Sequence, residues 1–193
     1  DLFPVEAATG QCEVVLFTEE HDGKMSEQTV SRFVKLVKLW RDRYEKLGAI
    51  DDHEYVYIFE NKGEEVGVTL EHPHGQIYAY PFVPPKIERE LESSDQYLRE
   101  EGRCLFCDLI DSEREDGRRI VAENDSFTAV VPFHARWTYE VHVYANDHVP
   151  SIADFTAEDE RNLGNLLNEI LQRYDALFGF EMPYIMATHQ QPT

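Results

Sequence analysis

The chain repeats its own order of elements, and that constrains its fold more than any other feature. Val14-Val-Leu-Phe-Thr-Glu-Glu-His21 reads as a strand ending on a histidine. Val30, Phe33, Val34, Val37, Trp40, Tyr44 and Leu47 follow at helical spacing, with Gly48 as the stop. Tyr55-Val-Tyr-Ile-Phe59 is the next strand. Later, Val141-His-Val-Tyr144 leads to His148, and Thr156 with Asp159 resembles a capping box. Leu163, Leu166, Leu167, Ile170, Leu171, Tyr174 and Leu177 then form an apolar stripe stopped by Gly179, and Pro183-Tyr-Ile-Met186 is the returning strand. Arg43-Tyr44 and Arg173-Tyr174 hold matching places on the two helices. The order predicts an α+β protein of two tandem units, each an antiparallel sheet with a packed helix.

Three segments follow: 1–85 as the end of a first unit, 86–119 as linker and exposed helix, and 120–193 as the start of a second. The segment between the units is mostly solvated, with Pro84-Pro85, a charged stretch from Lys86 to Arg103 and the acidic run from Asp111 to Asp116. The chain opens at Asp1 rather than Met and ends on His189-Gln-Gln-Pro-Thr193 without a stop signal, which reads as a partial chain.

Charge and cysteine content narrow the function. Eighteen Lys and Arg stand against 38 Asp and Glu, a formal charge of −20. Such a surface repels phosphate backbones and anionic lipid, so neither nucleic acid nor membrane is the expected partner. A phosphorylated ligand must be held by local donors. Three cysteines cannot frame a secreted domain of 193 residues, which points to a reducing, cytoplasmic setting.

The chemistry is densest at Asn61-Lys-Gly-Glu-Glu-Val-Gly67 and Thr69-Leu-Glu-His-Pro-His-Gly-Gln76. If residues 72–76 are extended, His72, His74 and Gln76 share one face, with Pro73 confining them to a strand start or edge. Two imidazoles and an amide on one face need partners, and a metal or phosphoryl group supplies them. A neutral histidine nitrogen can attack phosphorus to form a phosphoramidate. An amide such as Gln76 can hydrogen-bond a phosphoryl oxygen without giving a proton to a leaving group. Gly63 and Gly67 let backbone N–H groups approach a phosphate.

His72-Pro-His-Gly-Gln76, preceded by Phe59-Glu-Asn-Lys-Gly63, resembles the signature of the galactose-1-phosphate uridylyltransferase family, a fused pair of histidine-triad-like units. The resemblance implies that His74 is the nucleophile accepting the uridylyl group and that Gln76 stands where related hydrolases carry a third histidine. It implies that Asn61, Gly67, Thr69 and Gln76 contact the substrate. UDP-glucose would uridylylate the histidine in a ping-pong cycle, and galactose 1-phosphate would then take the group. A homodimer, with each site completed by the partner, is also implied. Relatives with the same chemistry on other nucleotides, such as an ADP-glucose phosphorylase, remain open, as do a histidine-triad hydrolase and a zinc-stabilised binding module without turnover.

The same resemblance implies metal. In the family a first zinc takes two cysteines and two histidines, matched here by His21 and His72, while the cysteine pair is absent from this chain. His21 is also readable as a cap. Cys104-Leu-Phe-Cys107 mirrors the missing pair before the second unit, and His148 mirrors His21, giving three ligands of a second zinc site. Reduced structural thiols and a redox pair are the alternatives. A further family metal, iron or zinc, would use Glu90 and His189, although Glu90 also reads as a solvated carboxylate. Cys12 reads as a buried small residue, and His53, His134 and His142 receive no role.

Overall fold

A computed structural model describes residues 2, 3, 5, 7 and 9–193. Among these residues, seven strands and four α-helices form two antiparallel sheets with helices against them, an α+β arrangement. The first half holds β1 (Gln11–Leu16), α1 (Val30–Gly48), β2 (Tyr55–Lys62) and β3 (His74–Tyr80). α2 (Pro85–Glu101) and α3 (Leu105–Asp116) lead to β4 (Ile120–Glu123), β5 (Phe127–Val130), β6 (His142–Ala145), α4 (Ala157–Phe178) and β7 (Tyr184–Ala187).

Apolar residues three and four apart place Phe33, Val37, Trp40, Tyr44 and Leu47 of α1 in one core with Val15, Val56, Ile58 and Ile77 of the sheet. Thr29 starts the helix by accepting the Arg32 N–H. The helix ends on Gly48, with Ala49 as its cap. α4 begins with the anticipated capping box: Asp159 N–H donates to Thr156 Oγ1, and Thr156 N–H donates to Asp159 Oδ2. It stops at left-handed Gly179. The two matched tyrosines do equivalent work: Tyr44 donates to the Gln191 carbonyl and Tyr174 to the Tyr139 carbonyl.

Three details differ from the sequence expectation. β1 stops at Leu16 rather than at His21. Thr18 Oγ1 accepts the Glu20 N–H and turns the chain, so His21 lies in the following turn. Cys12 is exposed, because its pairing with Tyr78 puts it on the sheet face away from α1. The third difference has the widest effect. The strand at 183–186 does not return within the second unit; as β7 it pairs antiparallel with β2, giving the order β1-β3-β2-β7, while β4-β5-β6 form the second sheet. The outer edge of β2 is thereby satisfied by a segment from the other end of the chain.

The halves are also joined helix to helix. A Cβ on Gly164 of α4 would lie 2.9 Å from the Val34 nitrogen and 3.0 Å from Val34 Cγ2, so no larger residue fits at this crossing. Beside it, buried Glu160 accepts from Arg41 and faces Lys38.

Two predictions follow from this packing. Gly164→Leu should cost about 1–3 kcal/mol by forcing α1 and α4 apart, lowering Tm by roughly 3–10 °C in a thermal melt. The second concerns Glu60 on the inward face of β2. Burial pushes its carboxyl up to about 7, although the Tyr184 hydroxyl and Lys62 pull it down. A carboxyl raised above its unfolded value near 4.5 stabilises the fold fully below that pH, and the stabilisation is lost as pH rises through about 7. Tm should therefore fall between pH 5 and 8, and Glu60→Gln should flatten that slope by up to about 3 kcal/mol.

Candidate active site

β3 supplies the central histidine. Its register pairs His74 with Leu16 and Gln76 with Val14, so both side chains leave the same face of the sheet. His72 precedes the strand, and the single-face arrangement holds for His74 and Gln76 alone. Pro73 has no N–H to place in a ladder, but its carbonyl accepts the Phe17 N–H, which anchors this entry to β1.

The His74 ring curls back so that Nδ1 lies 2.8 Å from the His72 carbonyl oxygen. A carbonyl only accepts, so Nδ1 carries the proton and Nε2 keeps its lone pair. Nε2 has no hydrogen-bond partner among the described residues. The imidazole is thus fixed in the tautomer a nucleophile requires. Gln76 Oε1 accepts from the Tyr78 hydroxyl at 2.9 Å, which leaves its NH2 group available as a donor.

His74 lines a cleft of about 370 Å³ together with Asn61, Gly63, Thr69 and His72. Asn61 is at the end of β2; continuing the Phe59–Gln76 register by two residues brings it beside His74. Gly67 adopts φ +87° as the cap of the short turn Glu64–Val66 and does not line the cleft, nor does Gln76. Sequence reasoning passed over Lys24, Lys62 and Glu60, which also line it. Glu60 left one usable signal: a charge on the inward face of Tyr55-Val-Tyr-Ile-Phe-Glu, in step with Val56 and Ile58. Lys24 sits in a loop with no periodicity and left none.

The metal candidates fall in three places. His21 Nδ1 and His72 Nδ1 are 3.3 Å apart, and His72 Nε2 is held by the Thr18 carbonyl at 2.8 Å. Two nitrogens about 2.0–2.1 Å from one tetrahedral zinc would be separated by about 3.3 Å, so the pair fits such an ion. Cys104, Cys107 and His148 place their ligand atoms within 4.8 Å of one another, the one such cluster of three among the described residues. Burial, with Cys104 alongside, pushes the Cys107 thiol up to about 11. Two adjacent sulfurs resist becoming thiolates together unless a cation joins them, which suits a metal site. Glu90 and His189 meet at 2.8 Å. Burial raises the Glu90 carboxyl, but His189, Lys86 and His142 outweigh it and bring it below the usual range.

His134 and His142 are neighbours, with ring centroids 5.6 Å apart. His142 bridges Glu140 and the Tyr144 hydroxyl, and His53 is buried against the Leu47 carbonyl.

Comparison with known proteins agrees with this geometry. Residues 1–84 match the family model for galactose-1-phosphate uridyl transferase, N-terminal domain, and residues 90–193 match that for the C-terminal domain. The galactose-1-phosphate uridylyltransferase of Thermotoga maritima is 40% identical over 190 residues, covering 98% of this chain and 59% of the relative. That of Saccharomyces cerevisiae is 35% identical over 196 residues, covering 99% and 54%. A solved uridylyltransferase mutant superposes with a TM-score of 0.91 at 34% identity, over 95% of this chain and 60% of that one. An ADP-glucose phosphorylase from Arabidopsis thaliana with bound ADP-glucose shares the fold, with a TM-score of 0.87 at 24% identity, over 95% and 57%. The chain spans a little over half the length of these curated relatives. Matched from end to end by the two halves of one family, it belongs to the galactose-1-phosphate uridyl transferase family.

Proposed function

We propose that the cleft transfers a uridylyl group from UDP-glucose to galactose 1-phosphate through a covalent intermediate on His74. The observation that carries this is the His74 imidazole, with Nδ1 hydrogen-bonded to the His72 carbonyl and Nε2 unpartnered. Nε2 attacks the α-phosphorus, the bond from that phosphorus to the bridging oxygen breaks, and glucose 1-phosphate leaves with the electron pair. Positive charge that develops on the ring is eased through the Nδ1 hydrogen bond to the carbonyl. A phosphate oxygen of galactose 1-phosphate then attacks the same phosphorus. The P–N bond breaks, UDP-galactose forms, and Nε2 recovers its lone pair.

Gln76 suits this partition between transfer and hydrolysis. Its amide can hold a non-bridging oxygen but supplies no proton, so water gains no help as an acceptor. Asn61 and Thr69 line the cleft, and Gly67 shapes the turn between them, where the nucleotide's phosphate and ribose would lie. A homodimer and a reducing, cytoplasmic setting belong to the same reading. No helix among the described residues is long and apolar enough to cross a membrane.

Zinc would be held by His21 and His72 at one place and by Cys104, Cys107 and His148 at another, with iron or zinc at Glu90 and His189. Such an ion would supply structural rigidity rather than reactive electrons. The His72 site bears on turnover, since the same residue's carbonyl orients the nucleophile. The Cys104 site is in the other half and bears on folding.

Incubation with α-labelled UDP-glucose, beside α-labelled ADP-glucose, tests the transfer. Label should attach to the protein from the uridine donor, and His74→Asn should abolish it while thermal unfolding stays cooperative. Turnover persisting in His74→Asn would overturn the assignment. For the metal, Cys104→Ser should lower elemental zinc by about one equivalent per chain and lower Tm. Unchanged metal content would remove that site.

A further inference from the structure

Glu60 and Tyr184 are titratable and take no part in the transfer chemistry; Glu60 lines the cleft, and Tyr184 reaches it from the neighbouring strand. Glu60 is only 5% exposed, and its carboxylate accepts the Tyr184 hydroxyl at 2.8 Å. Glu60 comes from β2 in the first half, and Tyr184 comes from β7, 124 positions later. Burial and the adjacent Glu60 carboxyl keep the tyrosine protonated, so its hydroxyl has a proton to donate to Glu60 Oε1.

Neighbouring contacts extend the connection. Lys62 Nζ lies 5.7 Å from the centre of the Tyr184 ring and 3.5 Å from Glu181. Asp175 of α4 accepts the Met182 N–H at 3.1 Å, so the segment before β7 is tied to the second half's long helix. Pro183 closes on Gly63: a Cβ there would lie 2.6 Å from Pro183 Cβ, and Gly63 has φ +102°. No other residue type meets both conditions without strain. The Gly63 carbonyl in turn accepts the N–H groups of Val66 and Val68, each at 3.2 Å, which sets the turn leading to Thr69. Displacing Gly63 therefore displaces residues that line the cleft together with His74.

We propose that Glu60, Lys62 and Tyr184 are positioning residues, a clamp through which the second half of the chain holds the loop at 61–69 in the shape that receives the nucleotidyl donor. This rests on the assignment of the cleft to nucleotidyl transfer. The clamp acts on donor binding and not on the nucleophile, because His74 is oriented separately by the His72 carbonyl. Its loss should raise the donor concentration needed for half-saturation and leave the labelled fraction at saturation unchanged. A residue that served stability alone would lower Tm and leave half-saturation where it was.

The experiment is a titration of the full chain with α-labelled UDP-glucose, reading label on the protein, with a thermal melt of each variant. Tyr184→Phe keeps the ring over Lys62 and removes only the hydroxyl; half-saturation should rise about 10-fold. Glu60→Ala should do the same, and Glu60→Gln, which keeps an acceptor for the tyrosine, should recover most of the loss. Glu181→Gln changes a side chain more exposed than Lys62 and decides the matter if the buried variants fail to fold; about a threefold rise is expected. A labelled wild type whose half-saturation is unchanged in Tyr184→Phe and Glu181→Gln overturns the clamp alone. A wild type that takes no label overturns the transfer assignment and the clamp with it.

Discussion

Strand β2 has two neighbours of different origin. β3, which carries His74, follows it closely in the chain, whereas β7 arrives from the far side of α4. The β2–β7 pairing sets Lys62 opposite Tyr184 and Asn61 opposite Ile185. It thereby fixes the end of β2 that opens into the cleft. Without it, β2 would be a bare edge there, with its backbone groups facing water and its terminal residues free to fray. The residues after β7 extend the same attachment. Thr188 donates to the Ile58 carbonyl, Gln190 N–H to the Tyr55 hydroxyl, and the Gln191 carbonyl accepts from Tyr44. The α1–α4 contact at Gly164 holds the two helices at the separation this crossing requires.

The site itself depends on short-range constraints. Orienting an imidazole through the carbonyl two residues earlier needs only that residues 72–74 take up one backbone shape. Pro73 restricts that shape, and its carbonyl is in turn held by Phe17. Local chemistry of this kind is readable from sequence, and the His-Pro-His-Gly-Gln run gave it away. The tandem architecture was legible for a related reason: apolar periodicity, an N-cap and a terminal glycine are written within each helix. What could not be read was non-local. The segment at 183–186 has the composition of a strand, but nothing in it says which sheet it joins. Backbone hydrogen bonds are the same whatever the partner. The repeat suggested the nearer sheet; the hydroxyl of Tyr184 reaching Glu60 is a specific feature that favours the farther one. His21 was misplaced by a smaller effect, since Thr18 turns the chain through a side-chain bond that resembles any other threonine in a strand.

Electrostatics links these two scales. A chain with formal charge −20 does not draw in a nucleoside diphosphate sugar by its overall field. The cleft nevertheless has Lys24 and Lys62 on its walls. Each has an acid within ion-pair distance, Glu27 at 3.6 Å and Glu181 at 3.5 Å. Such exposed or partly exposed pairs are individually weak in water.

The loop carrying Lys24 also depends on the second half. Asn168 donates to the Gln28 carbonyl and Gln172 to the Ser26 carbonyl, so α4 pins the short turn at Met25–Glu27 beside His21. Both walls of the cleft, the 22–25 loop and the 61–69 loop, are therefore braced by elements that follow residue 156 in the sequence. The His74 ring, by contrast, is oriented from within its own half. A duplicated fold has in this way divided its labour: one copy carries the histidine strand, and the other holds the loops that frame it. Equivalent places in the two halves accordingly make different contacts. Arg43 binds Glu13 on β1 through two hydrogen bonds, whereas Arg173 at the matching place pairs only with Glu169 on its own helix.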